Sequence, residues 1–283
     1  MKKNIKIVTD STVDLSKEKI EELGVTVVPL SVTIDGESYV DGVDITSTEF
    51  VKKLVQAESI PQSSQPSVGS FLETYDKLGE DGSSIISIHM TSGMSGTYTS
   101  AKTAADMSKS DVTVVDSRYI SAALSFQVRE ACELAKNGSS VEEILERIEN
   151  VRSNTSLYIM VDTLEYLAKG GRIGRGKALV GSLLKIKPIA SLKDGVYTPV
   201  SKVRTYMQLV KFLKNKFEEE TSGKIVKGIG IAQVEAMDLA KQVRDGIREI
   251  ENFKNIPIVD TTPIISTHTG PGAIALMYYT DDK

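Results

Sequence analysis

Apolar and polar positions alternate in short blocks along the whole chain, and most blocks carry their own start and stop signals. Ile5–Thr9 reads as a strand, followed by Asp10-Ser11-Thr12 and a helix from about Ser16 to Leu23, which Gly24 ends. Val25–Ile34 is a β-branched run closed by Asp35-Gly36, with Ser38–Val40 returning as a hairpin. Thr46 or Ser47 caps a helix to about Gln56. The proline-bracketed stretch Ile60–Ser67 reads as a polar loop launching a helix over Val68–Leu78. Ser84–Tyr98 is the most informative stretch. Its apolar run Ile85, Ile86, Ile88 and Met90 turns abruptly into Thr91, Ser92, Gly93, Ser95, Gly96 and Thr97. That is a buried strand ending in a tight loop that opens a helix, where outward-pointing N–H groups of the first turn favour an anionic or carbonyl oxygen. An ordinary helix cap is the competing reading. A strand over Val112–Val115, a helix over Tyr119–Lys136 and another, capped by Ser139 or Ser140 and running to about Val151, complete a pattern of alternating strands and helices.

From Asn154 the pattern changes. Leu157–Val161 is a strand, Asp162–Glu165 begins a helix that Gly170-Gly171 break, and a second short helix is predicted around Ala178–Leu184. Ile189–Lys193 and Val196–Val203 form a hairpin across Asp194-Gly195. Helices over Tyr206–Glu220 and Ala236–Glu251 then alternate with strands Gly228–Val234 and Ile256–Val259. Thr267–Gly272 reads as a loop before a last strand, Ala273–Tyr279. The fold class is therefore α/β in two domains. Residues 1–153 form a largely parallel α/β unit, and residues 154–283 a mixed-sheet α+β unit. A cleft between such domains is a common ligand site.

Composition narrows the function classes. The 283 residues are 40% hydrophobic and 25% charged, and the net charge of −4 argues against an extensive nucleic-acid-binding surface. Cys132 is the single cysteine, so no intramolecular disulfide forms and a small core residue is its simplest role. The short, charge-broken N-terminus does not read as a signal peptide, and no stretch is long enough to span a bilayer. A cytoplasmic location follows as the expectation.

Candidate chemistry is sparse. Gly171–Ala178 approaches a phosphate-binding loop but has Ala178 where Ser or Thr holds magnesium, and helix rather than strand upstream. Arg172, Arg175 and Lys177 still attract anions, or form a solvated turn. His89 and His268 are the only histidines and lack partners at metal-ligand spacing, so neither a metal nor a cofactor is expected. His89 fits a core strand; His268, among Thr and Gly, fits either a ligand contact or loop scaffolding. Gly93-Met94-Ser95-Gly96 departs from a nucleophile elbow, and Asp10, Asp116 and Asp162 show no triad order with His268. Asp10 and Asp116 each read as loop-bracing caps. Lys202, Arg204, Lys211, Lys214 and Lys216 give one helix a basic face, either solvated or a docking patch.

Four signatures coincide in order: Val8-Thr9-Asp10-Ser11, Ser63-Ser64-Gln65-Pro66-Ser67, Thr91–Tyr98 and His268–Gly272, with Gly170–Ile173 between the last two. Together they resemble the DegV family of bacterial fatty-acid-binding proteins over essentially the whole chain. The resemblance implies that one long-chain fatty acid is held, without catalysis, with its tail in an apolar tunnel. It also implies presentation to a separate fatty acid kinase subunit that makes an acyl phosphate for phospholipid synthesis, with transient membrane contact allowed. The family's carboxylate-binding hydroxyls correspond here to Ser63 and Ser95, while His268, Arg172 and Arg204 become candidates for a head-group or kinase-facing role. Ser63 stands where the family commonly has Thr, and Met94 where it commonly has Leu; neither change removes a donor. The alternatives are a stand-alone serine hydrolase using Ser95, a phosphotransferase using Gly171–Lys177, and a lipid sensor of the same fold.

Overall fold

Apolar β-branched segments followed by capped helices build the first half of the molecule. The structure, a computed structural model, describes residues 4–179, 186–251, 253 and 255–282. Strand β1 (Ile5–Asp10) leads through a 3-10 turn to α1 (Lys17–Leu23), capped by Ser16 and stopped by left-handed Gly24. Then come β2 (Thr26–Val28), β3 (Ser31–Ile34) and β4 (Glu37–Val40). Helix α2 (Ser47–Gln56) starts on a capping box in which Thr46 and Glu49 each bond the other's backbone N–H. β5 (Gln62–Ser64), α3 (Val68–Gly79), β6 (Ser84–His89), α4 (Thr97–Met107) and β7 (Asp111–Asp116) follow, then α5 (Ser121–Lys136) and α6 (Val141–Ser153). Strands β2-β1-β6-β7 form a wholly parallel sheet, and β4-β3-β5 a small antiparallel one.

The second half begins with β8 (Thr155–Met160) and α7 (Glu165–Lys169). β9 (Lys187–Ser191) and β10 (Thr198–Val203) form the hairpin, followed by α8 (Tyr206–Thr221), β11 (Ile225–Gln233) and α9 (Met237–Arg248). β12 (Ile258–Asp260), α10 (Pro263–Thr269) and β13 (Ile274–Asp281) end the chain. The sheet order is β10-β9-β8-β13-β11-β12, in which only β11 and β12 pair in parallel. The architecture is thus mixed α/β, with a parallel sheet followed by a mixed one.

Three elements differ from the sequence expectation. The run Val25–Ile34 is split at Pro29, which has no N–H to donate, so β2 joins the parallel sheet and β3 crosses to the small one. The polar stretch Ile60–Ser67 contains β5, an edge strand with Ser63 opposite Val32. The expected loop at Thr267–Gly272 begins as the last turns of α10, with Gly270 as its cap at φ 69°. Part of the helix expected over Ala178–Leu184 lies outside the described residues; Gly174–Leu179 is a 3-10 helix.

One buried apolar cluster runs through both halves, including Ile7, Leu124, Ile159 and Met277. Helix α5 lies between the two larger sheets, with Phe126 tilted on Tyr279 at 4.9 Å between ring centres. A second tie is polar: Thr91 Oγ1 donates to the Gly195 carbonyl at 2.8 Å across the two halves. Gly195 has φ 74°, and a Cβ there would lie 2.2 Å from Thr91 Oγ1, so only glycine admits this approach. Thr91 is 1% exposed, so Thr91→Val strands a buried carbonyl. The expected cost is about 1–3 kcal/mol, read as a lower denaturation midpoint at unchanged slope. An unchanged midpoint contradicts a stabilising role for this bond.

Candidate ligand-binding site

The loop from β6 to α4, strand β5, the α7–Arg172 turn and the end of α10 converge on one narrow tunnel. Its wall is overwhelmingly apolar. Leu30, Met90 and Met94 come from the first half, and Leu157, Ile159, Ile264 and Met277 from the second. Ser63, Ser95, Arg172 and His268 are among the polar residues on it, with Ser121, Tyr197, Gln233, Thr261 and Thr269 elsewhere in the lining. Arg204 is exposed just before α8 and does not line the tunnel; its backbone N–H donates to Gln208 Oε1 at 2.8 Å.

Residues 205 apart in sequence come together in the Ser63 Oγ–His268 Nε2 hydrogen bond of 2.7 Å. Ser63 is held by the β3–β5 register and His268 by α10, so two separate elements set that distance. The other ring nitrogen, Nδ1, is buried without a partner, next to Gly170. Burial, and secondarily the charge of Arg172, pushes the His268 imidazole down to about 4. Arg172 is itself fixed by donating Nε to the Met94 carbonyl at 3.0 Å and Nη1 to the Gly170 carbonyl at 2.5 Å. It therefore ties the second half to the β6–α4 loop while keeping its charge beside the tunnel.

Ser95 sits in that loop, its hydroxyl 2.9 Å from Thr97 Oγ1 and accepting the Thr97 N–H at 3.3 Å. The sequence suggested outward-pointing N–H groups here. Before the helix, Ser92 N–H goes to Asp116, Gly93 N–H to Thr91 Oγ1 and Met94 N–H to the Thr91 carbonyl. The loop thus takes up the N–H groups of Ser92, Gly93, Met94 and Thr97, while α4 starts after Gly96 without a side-chain cap, and the Ser95 hydroxyl is a polar contribution of the loop to the tunnel. The stretch after Ser63 is locked onto the same loop, since Gln65 Nε2 donates to Ser100 Oγ at 2.8 Å and packs over Gly96.

The remaining sequence candidates are structural. His89 is fully buried, bonded through Nε2 to Ser87 at 2.6 Å and through Nδ1 to Asp10 at 3.1 Å. Asp10 also accepts the Met90 and Thr12 N–H groups. This Ser-His-Asp set is sealed from solvent and does not line the tunnel, so it braces the strand ends. Arg175 bonds Asp194 and Thr198. Cys132 is buried in the core, and burial pushes its thiol up to about 12. Among the described residues no group of His, Cys, Asp or Glu is arranged to hold a metal, and no helix is long and apolar enough to cross a membrane.

Because folding lowers the His268 pKa, the unfolded chain takes up a proton first as pH falls from about 6.5 to about 4. Its contribution to stability is flat above that window and is lost progressively through it. Histidine-selective NMR is expected to give a His268 midpoint near 4. A midpoint at the ordinary value contradicts the buried, neutral ring.

Comparisons with known proteins agree on one family. The model of the family described as "Uncharacterised protein, DegV family" matches residues 4–281. A DegV domain-containing protein of Staphylococcus aureus (strain N315) is 44% identical over 271 residues, 96% of this chain and 97% of its own. A solved DegV family protein of Thermus thermophilus, described by its fatty acid binding, superposes with a TM-score of 0.92 at 31% identity, covering 98% of this chain and 100% of that one. DegV of Bacillus subtilis, described as a fatty acid binding protein, gives a TM-score of 0.90 at 30% identity, with 99% and 100% covered.

Proposed function

This chain belongs to the DegV family, and from that premise we propose that it binds one long-chain fatty acid and acts as a carrier of it. The observation that carries the reading is the meeting of Ser63, Ser95, Arg172 and His268 at a predominantly apolar tunnel. A carboxylate leaving water needs charge-assisted hydrogen bonds. Here the Ser63 and Ser95 hydroxyls donate to it, the neutral His268 orients Ser63, and the Arg172 charge lies beside it. The tail supplies the affinity. Roughly fourteen methylenes at about 0.8 kcal/mol each amount to on the order of 11 kcal/mol before the cost of immobilising the chain.

The bound acid is then presented to a separate fatty acid kinase, which transfers a phosphoryl group from ATP to a carboxylate oxygen. The resulting acyl phosphate serves phospholipid synthesis in the cytoplasm. Exposed Arg204 and Met207, the latter 78% accessible, offer a surface for such a subunit at the start of α8.

One observation favours a hydrolase, namely the Ser63–His268 pair itself. A nucleophile–base pair needs a third group to hold the base, and Nδ1 of His268 has none. An imidazole pushed down to about 4 is also a poor proton acceptor at neutral pH. The carrier reading is therefore preferred.

Protein purified from a bacterial host is expected to carry a fatty acid detectable by mass spectrometry. Ser63→Ala and Ser95→Ala are each expected to weaken binding about tenfold or more, as for loss of a hydrogen bond to a charged group. Full affinity in the double variant contradicts the assigned head-group site, and steady turnover of a model ester by the isolated protein supports the hydrolase instead.

A further inference from the structure

One buried polar atom of the tunnel wall is left without a partner inside the tunnel, the hydroxyl of Tyr197. Elsewhere the wall makes its own hydrogen bonds. The Ser121 and Thr261 hydroxyls donate to Asp14 Oδ2, Gln233 bonds Asp260 and the Ala236 N–H, and the Thr269 hydroxyl donates to the Ile265 carbonyl at 3.0 Å. Tyr197 also lines the tunnel and is 1% exposed, yet its hydroxyl is buried with no partner. His268 Nδ1 is unpartnered too, but it lies against Gly170, where a Cβ would be 2.3 Å away.

The chain around Tyr197 is shaped to hold it. Gly195 and Val196, which precede it, pack against Thr91 and Gly93 of the β6–α4 loop. Its carbonyl accepts the Arg175 N–H at 2.9 Å, and Gly174, at φ 52°, passes so close that a Cβ would lie 2.7 Å from that oxygen. A Cβ on Gly176 would lie 3.0 Å from Cε1 of the Tyr197 ring. Two glycines of the stretch that approaches a phosphate-binding loop, Gly171–Ala178, thus make room for this tyrosine. Burial pushes the phenol well above its ordinary range, so at neutral pH the hydroxyl keeps its proton and is a donor. A buried donor without an acceptor bears its full desolvation penalty, which a plain hydrocarbon tail does not relieve. The bonds that hold Ser63, Ser95, Arg172 and His268 do not include this hydroxyl.

We propose that Tyr197 is a ligand-contacting residue that forms a second polar subsite of the tunnel: its hydroxyl donates to an acceptor oxygen carried on the acyl chain, so that the protein takes oxygenated fatty acids as well as unsubstituted ones. This inference rests on the fatty-acid reading above and adds a ligand class to it. A chain carbonyl is the matching group, since it accepts a hydrogen bond and has no donor of its own to satisfy.

The test is binding of octadecanoate and of a series of oxo-octadecanoates, with the carbonyl at successive chain positions, to lipid-stripped wild type and Tyr197→Phe. The variant keeps the ring and its packing and removes the hydroxyl alone. At one position or two adjacent ones, Tyr197→Phe is expected to weaken binding of the oxo acid by about tenfold or more, while its affinity for octadecanoate stays within about threefold of wild type. That position measures how far along the chain the hydroxyl lies. Without ligand, the variant is expected to denature at the wild-type midpoint or above it, because the lost hydroxyl had no partner. A series in which no position is weakened selectively overturns the inference, while octadecanoate binding leaves the carrier reading intact. Equal losses for octadecanoate and every oxo acid assign the hydroxyl to the carboxylate and overturn it too, as does a lowered midpoint of the ligand-free variant. Wild-type protein that binds neither octadecanoate nor any oxo acid overturns the carrier reading, and this inference with it.

Discussion

An apolar tunnel with a polar end requires that hydrogen-bonding groups meet at one place. In this chain the requirement is met by elements far apart in sequence, and the Ser63–His268 bond, spanning 205 residues, marks the place. Its 2.7 Å separation depends on the pairing of β5 with β3, on the seating of α10, and on the close join between the two halves at Thr91 and Gly195. Arg172 adds a fourth tether by donating to the Met94 carbonyl in the loop that carries Ser95. The small antiparallel sheet, which looks like an appendage to the parallel one, is the part that delivers Ser63.

The electrostatics follow from the same constraint. Burial keeps His268 neutral, so it offers a hydrogen bond rather than a charge, while Arg172 has two of its donors committed to carbonyls. A carboxylate entering such a site meets oriented hydroxyls and a positive field but no ion pair already closed against it. On the proposed reading this holds the head group in one orientation and leaves most of the affinity to the tail.

Much of the fold was legible because its elements carry local signals. The β-branched run Ile5–Thr9, the Thr46–Glu49 capping box and the Asp35-Gly36 turn each state their structure within a few residues. What was not legible depends on partners. Gln62–Ser64 has no apolar alternation and is a strand because β3 presents a free edge to it. Thr267–Thr269 is rich in small hydroxylated residues and reads as loop, yet Pro263 at the first helical position was a usable start signal for α10. At the site, the Ser95 loop and His268 stand out by their glycine- and hydroxyl-rich surroundings, whereas the head-group roles of Ser63 and Ser95 come from family resemblance, because nothing local joins them. The Ser63–His268 bond and the tie from Arg172 to the Met94 carbonyl depend on geometry that no spacing of residues encodes.

The central claim is that a hydrocarbon tail in the tunnel supplies the affinity and the polar end fixes the head. Titration calorimetry of lipid-stripped protein with saturated fatty acids of increasing length tests it most directly. The account predicts that affinity rises about fourfold per methylene, near 0.8 kcal/mol each, with a negative heat-capacity change, until the tunnel is full. Affinity independent of chain length, or no binding at all, contradicts it.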